Sequence, residues 1–184
     1  MQVFINVPRW SKDVSKMMQE RFSEYVYKAN VTDPRLGNKK DIYQINEKAV
    51  FSRVCTAINE IVRPTLVDVT KLFPAGDYPG PFYCSQGLAD TLRRMQSDGV
   101  AMYPNFMYRP AGETCGWDVN GQNDLRDQRG HWIGEAIDNK NTKSARAMGL
   151  SLAQYHALLQ GKYKLVLIMP VEEAHHLQYQ AVIE

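Results

Sequence analysis

The sequence predicts a domain of the α/β or α+β class, with about six strands in a mixed sheet, about four helices, and long loops rich in proline, glycine and aromatic residues. Three observations carry this expectation. Several segments place apolar residues at helical spacing on one face, while short β-branched runs stopped by proline or glycine lie between them. The composition, 44% hydrophobic and 23% charged over 184 residues, is that of an ordinary globular protein. A chain of this length buries about 70% of its unfolded surface, so its stability requires neither disulfide nor metal. A single domain over 1–184 is expected, with a helical N-terminal part (9–63) and a sheet-rich part (64–184).

The elements follow in order. Gln2 to Val7 is apolar and β-prone, and Pro8 ends it. Ser11 is the expected N-cap of a helix carrying Val14, Met17, Met18, Phe22, Tyr25 and Val26 on one face. After a loop over 33–40, Ile42, Ile45, Ala49, Val54, Ile58 and Ile61 predict a longer helix from Asp41 to Arg63, stopped by Pro64. Thr65 to Leu72 reads as a strand. Residues 73–81 hold three prolines and two glycines and exclude regular structure. A very short strand at 82–84 precedes a helix capped by Ser85, with Leu88, Ala89, Leu92 and Met95 inward. Gly99 to Tyr108 is β-like, 117–129 is loop or hairpin, and His131 to Ile137 is the next strand. The clearest signature is Ser151 with Gln154, a capping box, and Leu150 stapled onto Tyr155; Gly161 is the expected C-terminal stop. Strands at Lys164–Met169 and Leu177–Ile183 finish the chain.

The bulk numbers exclude several classes. A formal net charge of +2 without a basic stripe argues against a dedicated nucleic-acid binder. Cys55, Cys84 and Cys115 form no Cys-x-x-Cys spacing, which predicts reduced thiols and no zinc ribbon. No apolar run approaches the ~18–20 residues needed to span a bilayer, and the first residues lack the pattern of a secretory leader. No membrane association and a cytoplasmic location are the expectation.

Residues 124–138 concentrate the groups that perform acid–base or metal chemistry. Asp124, Asp127 and His131 are the candidate ligands of a divalent metal, and His131, Asp127 and Arg129 the candidate catalytic set. With His131 at the start of a strand, Glu135 would stand ~13 Å from it, too far to share one ion. Arg129, Gly130 and His131, preceded by Asp127, resemble the Asp-Arg-Gly-His string of ββα-metal nucleases; Gln128 interrupts the string. That resemblance implies His131 as general base, magnesium as cofactor, and Asn141 in the place of the metal-binding asparagine. Asp77 to Ser85, with Arg63 upstream, resembles a string in ADP-ribosyltransferase-like domains, whose acidic Glu-x-Glu is absent here; Glu135 or Glu172–Glu173 would have to substitute. Residues 144–159 have the small, glycine and apolar positions of a helix-turn-helix, but its outer face offers no arginine or lysine to bases. His175 and His176 are adjacent, and on a strand they would face opposite ways, leaving at most one as a ligand.

Tyr78, Phe82, Tyr83, Tyr103, Phe106, Tyr108, Arg109 and Trp117 lie in or beside the proline- and glycine-rich loops. Exposed aromatics with arginine are the composition of interface hot spots. The leading functional expectation is therefore a binding or assembly component whose partner is another protein or a second copy of the chain. The alternative is a metal-dependent hydrolase or group-transfer enzyme acting on nucleic acid or nucleotide through 124–138.

Overall fold

The computed structural model describes residues 3–7, 12–24, 26–28, 41–45, 48–73, 77–112, 130–167 and 174–179. It bears out the mixed helix-and-strand class. The chain divides into two compact units, Met1–Pro64 with Arg109–Ile133, and Thr65–Tyr108 with Gly134–Glu184. Among the described residues every strand pairing is antiparallel, and the strands form sheets of three, two and four. Ser11, Cys115, Glu172, Glu173, the loop over 33–40 and the segment 117–129 lie outside the described residues.

The first unit contains β1 (Val3–Val7), α1 (Lys12–Phe22), β2 (Val26–Lys28), β3 (Asp41–Ile45) and α2 (Lys48–Val62). Helix α1 ends at Phe22, so Val26 belongs to a strand and not to the helix expected there. The long helix expected from Asp41 likewise begins only at Lys48, and Asp41–Ile45 is the central strand of a β1-β3-β2 sheet. Its Ile-Tyr-Gln-Ile run has good strand formers, and ladder partners on both sides decide the matter: Val3 and Val26 both register with Ile45. Helix α1 buries Val14, Met17, Met18 and Phe22, and α2 buries Val50, Phe51, Val54, Ala57, Ile58 and Val62. The α1 face is the one that the helical spacing marks, whereas α2 keeps only Val54 and Ile58 of its expected face: Ala49 is exposed, Ile61 half-buried, and Val50, Phe51, Ala57 and Val62 turn inward instead. Asn59 of α2 fixes the 111 turn through both its amide atoms, donating to the Ala111 carbonyl at 3.2 Å and accepting from its N–H at 2.7 Å. Burial pushes the Cys55 thiol up to about 12, so it stays protonated and serves as a small core residue.

The second unit begins with β4 (Val67–Asp68) and β5 (Tyr83–Cys84), followed by α3 (Gln86–Ser97), β6 (Pro104–Phe106) and β7 (Ala136–Asn139). Helices α4 (Asn141–Ala147) and α5 (Leu152–Tyr163), then β8 (Leu165–Leu167) and β9 (His176–Tyr179), complete it. Its larger sheet has the order β6-β7-β9-β8. The strand expected over 65–72 is two residues of β4 followed by a 3-10 turn at Thr70–Leu72, where the Asp68 carboxylate takes the Thr70 N–H at 2.9 Å. That local bond competes with the ladder. One core cluster gathers Leu88, Leu92 and Met95 of α3, Tyr155, Leu159 and Tyr163 of α5, and Ile137, Leu165 and Leu177 of the sheet.

Of the three expected N-caps, the two that fall among the described residues are present. Ser85 accepts the Leu88 N–H at 3.2 Å. Ser151 and Gln154 close a reciprocal capping box at 3.2 and 2.9 Å. Helix α5 does not stop at Gly161; it runs to Tyr163, and Lys164 takes the left-handed cap at φ 59°. Tertiary contacts of the last turn outweigh the glycine: Tyr163 is buried, and its hydroxyl donates to Asp98 at 2.7 Å while Lys162 pairs with the same carboxylate at 2.9 Å. A left-handed lysine costs about 1–2 kcal/mol relative to the right-handed form. Among the described residues no helix is long and apolar enough to cross a membrane.

Candidate functional site

The polar residues of the second unit gather around β7. All four of its residues are buried, including Asp138 and Asn139. Alternation sends their side chains to opposite faces. On one face, Asp138 stands opposite His176 of β9, and its Oδ1 lies 3.2 Å from His176 Nδ1. The same oxygen lies 3.9 Å from His175 Nε2. The expectation that adjacent histidines diverge is overturned for a local reason. β9 begins at His176, so His175 sits in the preceding turn, where strand alternation does not apply. The His176 side chain is fully buried, while that of His175 is 51% exposed, so the cluster is closed beneath and open to solvent at one imidazole.

On the other face, Asn139 organises a buried network that sequence reasoning missed. Its Nδ2 donates to Asn141 Oδ1 at 2.7 Å and Ser144 Oγ at 3.2 Å, and its Oδ1 accepts the Tyr103 N–H at 2.8 Å. The Tyr155 hydroxyl, 3.5 Å from Asn139 Nδ2, donates to the Ala101 carbonyl at 2.9 Å. Burial pushes that phenol up to about 12, so it remains a donor. Asn139 N–H holds the His175 carbonyl at 2.9 Å, and Asn141 Nδ2 holds the Ala174 carbonyl at 2.7 Å. Both carbonyls of the histidine turn are thus tied to β7 and the start of α4. The available signal was one asparagine ending a buried strand and another two residues on, a place where side-chain amides satisfy backbone groups.

The sequence-predicted residues distribute as follows. Asp124, Asp127, Arg129 and Trp117 lie outside the described residues. His131 belongs to the first unit, is buried, and sits in a helical turn whose carbonyl accepts the Arg109 N–H at 3.2 Å. The strand expected from His131 begins instead at Ala136, because Gly134 at φ +70° turns the chain first. A Cβ there would lie 2.8 Å from Leu66 Cδ2 and 2.9 Å from Ser85 N, so the turn admits only glycine. Glu135 precedes the strand. Its carbonyl accepts from Tyr179 N at 2.8 Å and Gln178 Nε2 at 3.0 Å. Burial pushes its carboxyl up to about 8 against the opposing pull of a Ser85 hydrogen bond, so at neutral pH it is largely protonated.

Of the aromatic candidates, Tyr78, Tyr83 and Phe106 are exposed, whereas Phe82 is buried edge-on against Phe73 at 5.8 Å and belongs to the core. Tyr103 and Tyr108 are half-buried, as is Arg109, which falls in the first unit. Tyr78 and Phe106 approach to 6.0 Å between ring centroids. Lys140 lies 5.4 Å over Tyr78 and Lys143 4.3 Å over Tyr103, and both lysines pair with Asp77 at 2.7 and 2.8 Å. Those two lysine hydrogen bonds lower the Asp77 carboxyl to about 2. Cys55 and Cys84 are free buried thiols. Comparison with protein-family models, curated proteins and solved structures yields no match for this chain.

Proposed function

We propose that the protein binds a divalent transition-metal ion through Asp138, His175 and His176 and is a metal-dependent hydrolase or group-transfer enzyme. The observation that carries the reading is the approach of two imidazole nitrogens to one buried carboxylate oxygen, at 3.2 and 3.9 Å. Around a tetrahedral ion with bonds of about 2.0–2.1 Å, ligand atoms stand about 3.3 Å apart. The Asp138–His176 distance of 3.2 Å already meets this, and the exposed His175 ring needs to move by about 0.6 Å from 3.9 Å. Two imidazoles and a carboxylate suit zinc, cobalt or iron(II) better than magnesium or calcium. Three protein ligands leave a coordination position for water, whose proton the ion makes easier to remove. Asn139 and Asn141 fix the histidine turn from behind, the support that ordered ligand sets require.

Titration with cobalt(II) tests the reading through its visible absorption. The expected result is stoichiometric binding with an intense tetrahedral band that is lost in Asp138→Asn and His176→Gln and weakened at least tenfold in His175→Gln. Binding absent from the folded wild type, or unchanged in all three variants, refutes it.

A second reading, a partner-protein surface on the second unit, is favoured by the exposed pair Tyr78 and Phe106 with an ion-paired lysine rim. Apolar rings inside a polar rim match the anatomy of interfaces, and pairing of both lysines with Asp77 suits a protein better than a phosphate backbone. The partner in this second reading is a second copy of the chain. Sedimentation should show concentration-dependent self-association that Tyr78→Ser with Phe106→Ser abolishes; a wild type that stays monomeric refutes it.

A further inference from the structure

A separate hollow of about 630 Å³ lies between α3 and the C-terminal end of α5. This volume falls within the ~300–1,000 Å³ of small-molecule sites. Helix α3 lines it with Gly87, Asp90 and Arg94, and the opposite side is formed by Lys162, Lys164 and Tyr179. Gly87 makes room for the tyrosine: a Cβ there would stand 3.2 Å from Tyr179 Cε1 and 3.3 Å from its hydroxyl.

The charges in the hollow are unequal in what they leave over. Asp90 is occupied within its own helix, accepting from Arg93 and Gln86, each at 2.7 Å. Lys162 is neutralised by Asp98 at 2.9 Å. Arg94 is laid across the Tyr163 ring, 5.5 Å from its centroid, makes one long bond of 3.4 Å to the Lys162 carbonyl, and is attracted to Asp98, whose first partners are Tyr163 and Lys162. Lys164 is exposed and held in the left-handed conformation at φ 59°, a position that glycine or asparagine ordinarily fills. A lysine in such a backbone position, beside a hollow that also holds an arginine, is uncommon.

We propose that this groove binds a small phosphate ester, with the Arg94 guanidinium and the Lys164 ammonium taking the phosphate and the organic remainder lying toward Gly87 and Tyr179. A planar guanidinium beside an ammonium matches a dianion with several acceptor oxygens. The hollow far exceeds a bare phosphate, so the ester group has room.

The test is calorimetric titration and thermal melting of the full chain with inorganic phosphate, glucose 6-phosphate and AMP at constant ionic strength, with glucose and adenosine as controls. The esters should bind and raise Tm, and the controls should not. Arg94→Gln and Lys164→Gln should weaken ester binding at least tenfold. Lys164→Gly separates ligand binding from folding, since glycine relieves the left-handed conformation. That variant should melt no lower than wild type without ligand, yet lose ester binding tenfold. No ester binding at millimolar concentration, wild-type affinity in Lys164→Gly, or binding to phosphatidic-acid vesicles without binding to soluble esters overturns the assignment.

Discussion

Replacing Glu135 by glutamine should make the protein more resistant to alkaline pH. The carboxyl is buried, with Oε2 lacking a hydrogen-bond partner among the described residues, and burial raises its pKa from 4.5 to about 8. In the unfolded chain it ionises near the lower value. Between these values the native state therefore binds more protons than the unfolded state, and stability falls as pH rises. The contribution is complete below pH 4.5 and is lost as pH passes through about 8. At about 1.4 kcal/mol per tenfold difference in proton affinity, the full gap is worth about 5 kcal/mol, of which about 3–4 kcal/mol is lost between pH 5 and 8. His156 acts in the opposite sense, because burial lowers its pKa and its contribution disappears on acidification. It is present in both proteins and cancels in their difference. Urea unfolding at pH 5, 6, 7 and 8 measures that difference directly. Glu135→Gln should gain about 3–4 kcal/mol on wild type across the series, with similar m-values. A difference that stays constant with pH would refute the assignment of a neutral buried carboxyl.

Two further outcomes test the fold around the site. Gly134→Ala forces a Cβ to 2.8 Å from Leu66 Cδ2 at φ +70° and should cost about 2–5 kcal/mol in denaturant unfolding, combining the left-handed penalty with overpacking. Ser151→Ala removes the capping box of α5 and should cost about 1 kcal/mol, lowering Tm by about 2–4 °C, while Ser151→Asp should retain most of the stability.

What was legible in the sequence followed from local chemistry. The Ser85 and Ser151 caps depend on neighbours within a few residues, and they, the inward faces of α1 and α3 and the short strand at Tyr83–Cys84 are where their patterns place them. The failures have two causes: local turns cut short the strands expected over 65–72 and from His131, and distant partners decide the rest. Asp41–Ile45 is a strand because β1 and β2 flank it, and α5 passes Gly161 because Asp98 receives its last turn. The candidate site shows the same division. Residues 124–138 drew attention as a run of charges, but Asp138, its last member, meets histidines nearly forty residues later, and no local spacing announces such a pairing. Phe82 had the right composition for a surface and the wrong side of the chain: Tyr83, its neighbour, is the exposed one.

The ladder register links the fold to the chemistry. The pairing of Ala136 with Gln178, Ile137 with Leu177 and Asp138 with His176 sets the carboxylate opposite the imidazole on one face and Ile137 opposite Leu177 in the core on the other. A slip of one residue would carry Leu177 and Ile137 out of register, take His176 from Asp138 and take the His175 carbonyl from the Asn139 N–H. Each buried polar group left unpaired would cost about 1–3 kcal/mol. The Asn139 amide therefore does more than fill a gap. Its side chain holds the Tyr103 N–H beside β6 and the Asn141 and Ser144 side chains, while its own N–H and the Asn141 amide fix the His175 and Ala174 carbonyls ahead of β9. The hydrogen bonds of Asn139 and Asn141 to the turn before β9 act with the apolar ladder pairs to hold this alignment, and the alignment brings the two histidines to Asp138.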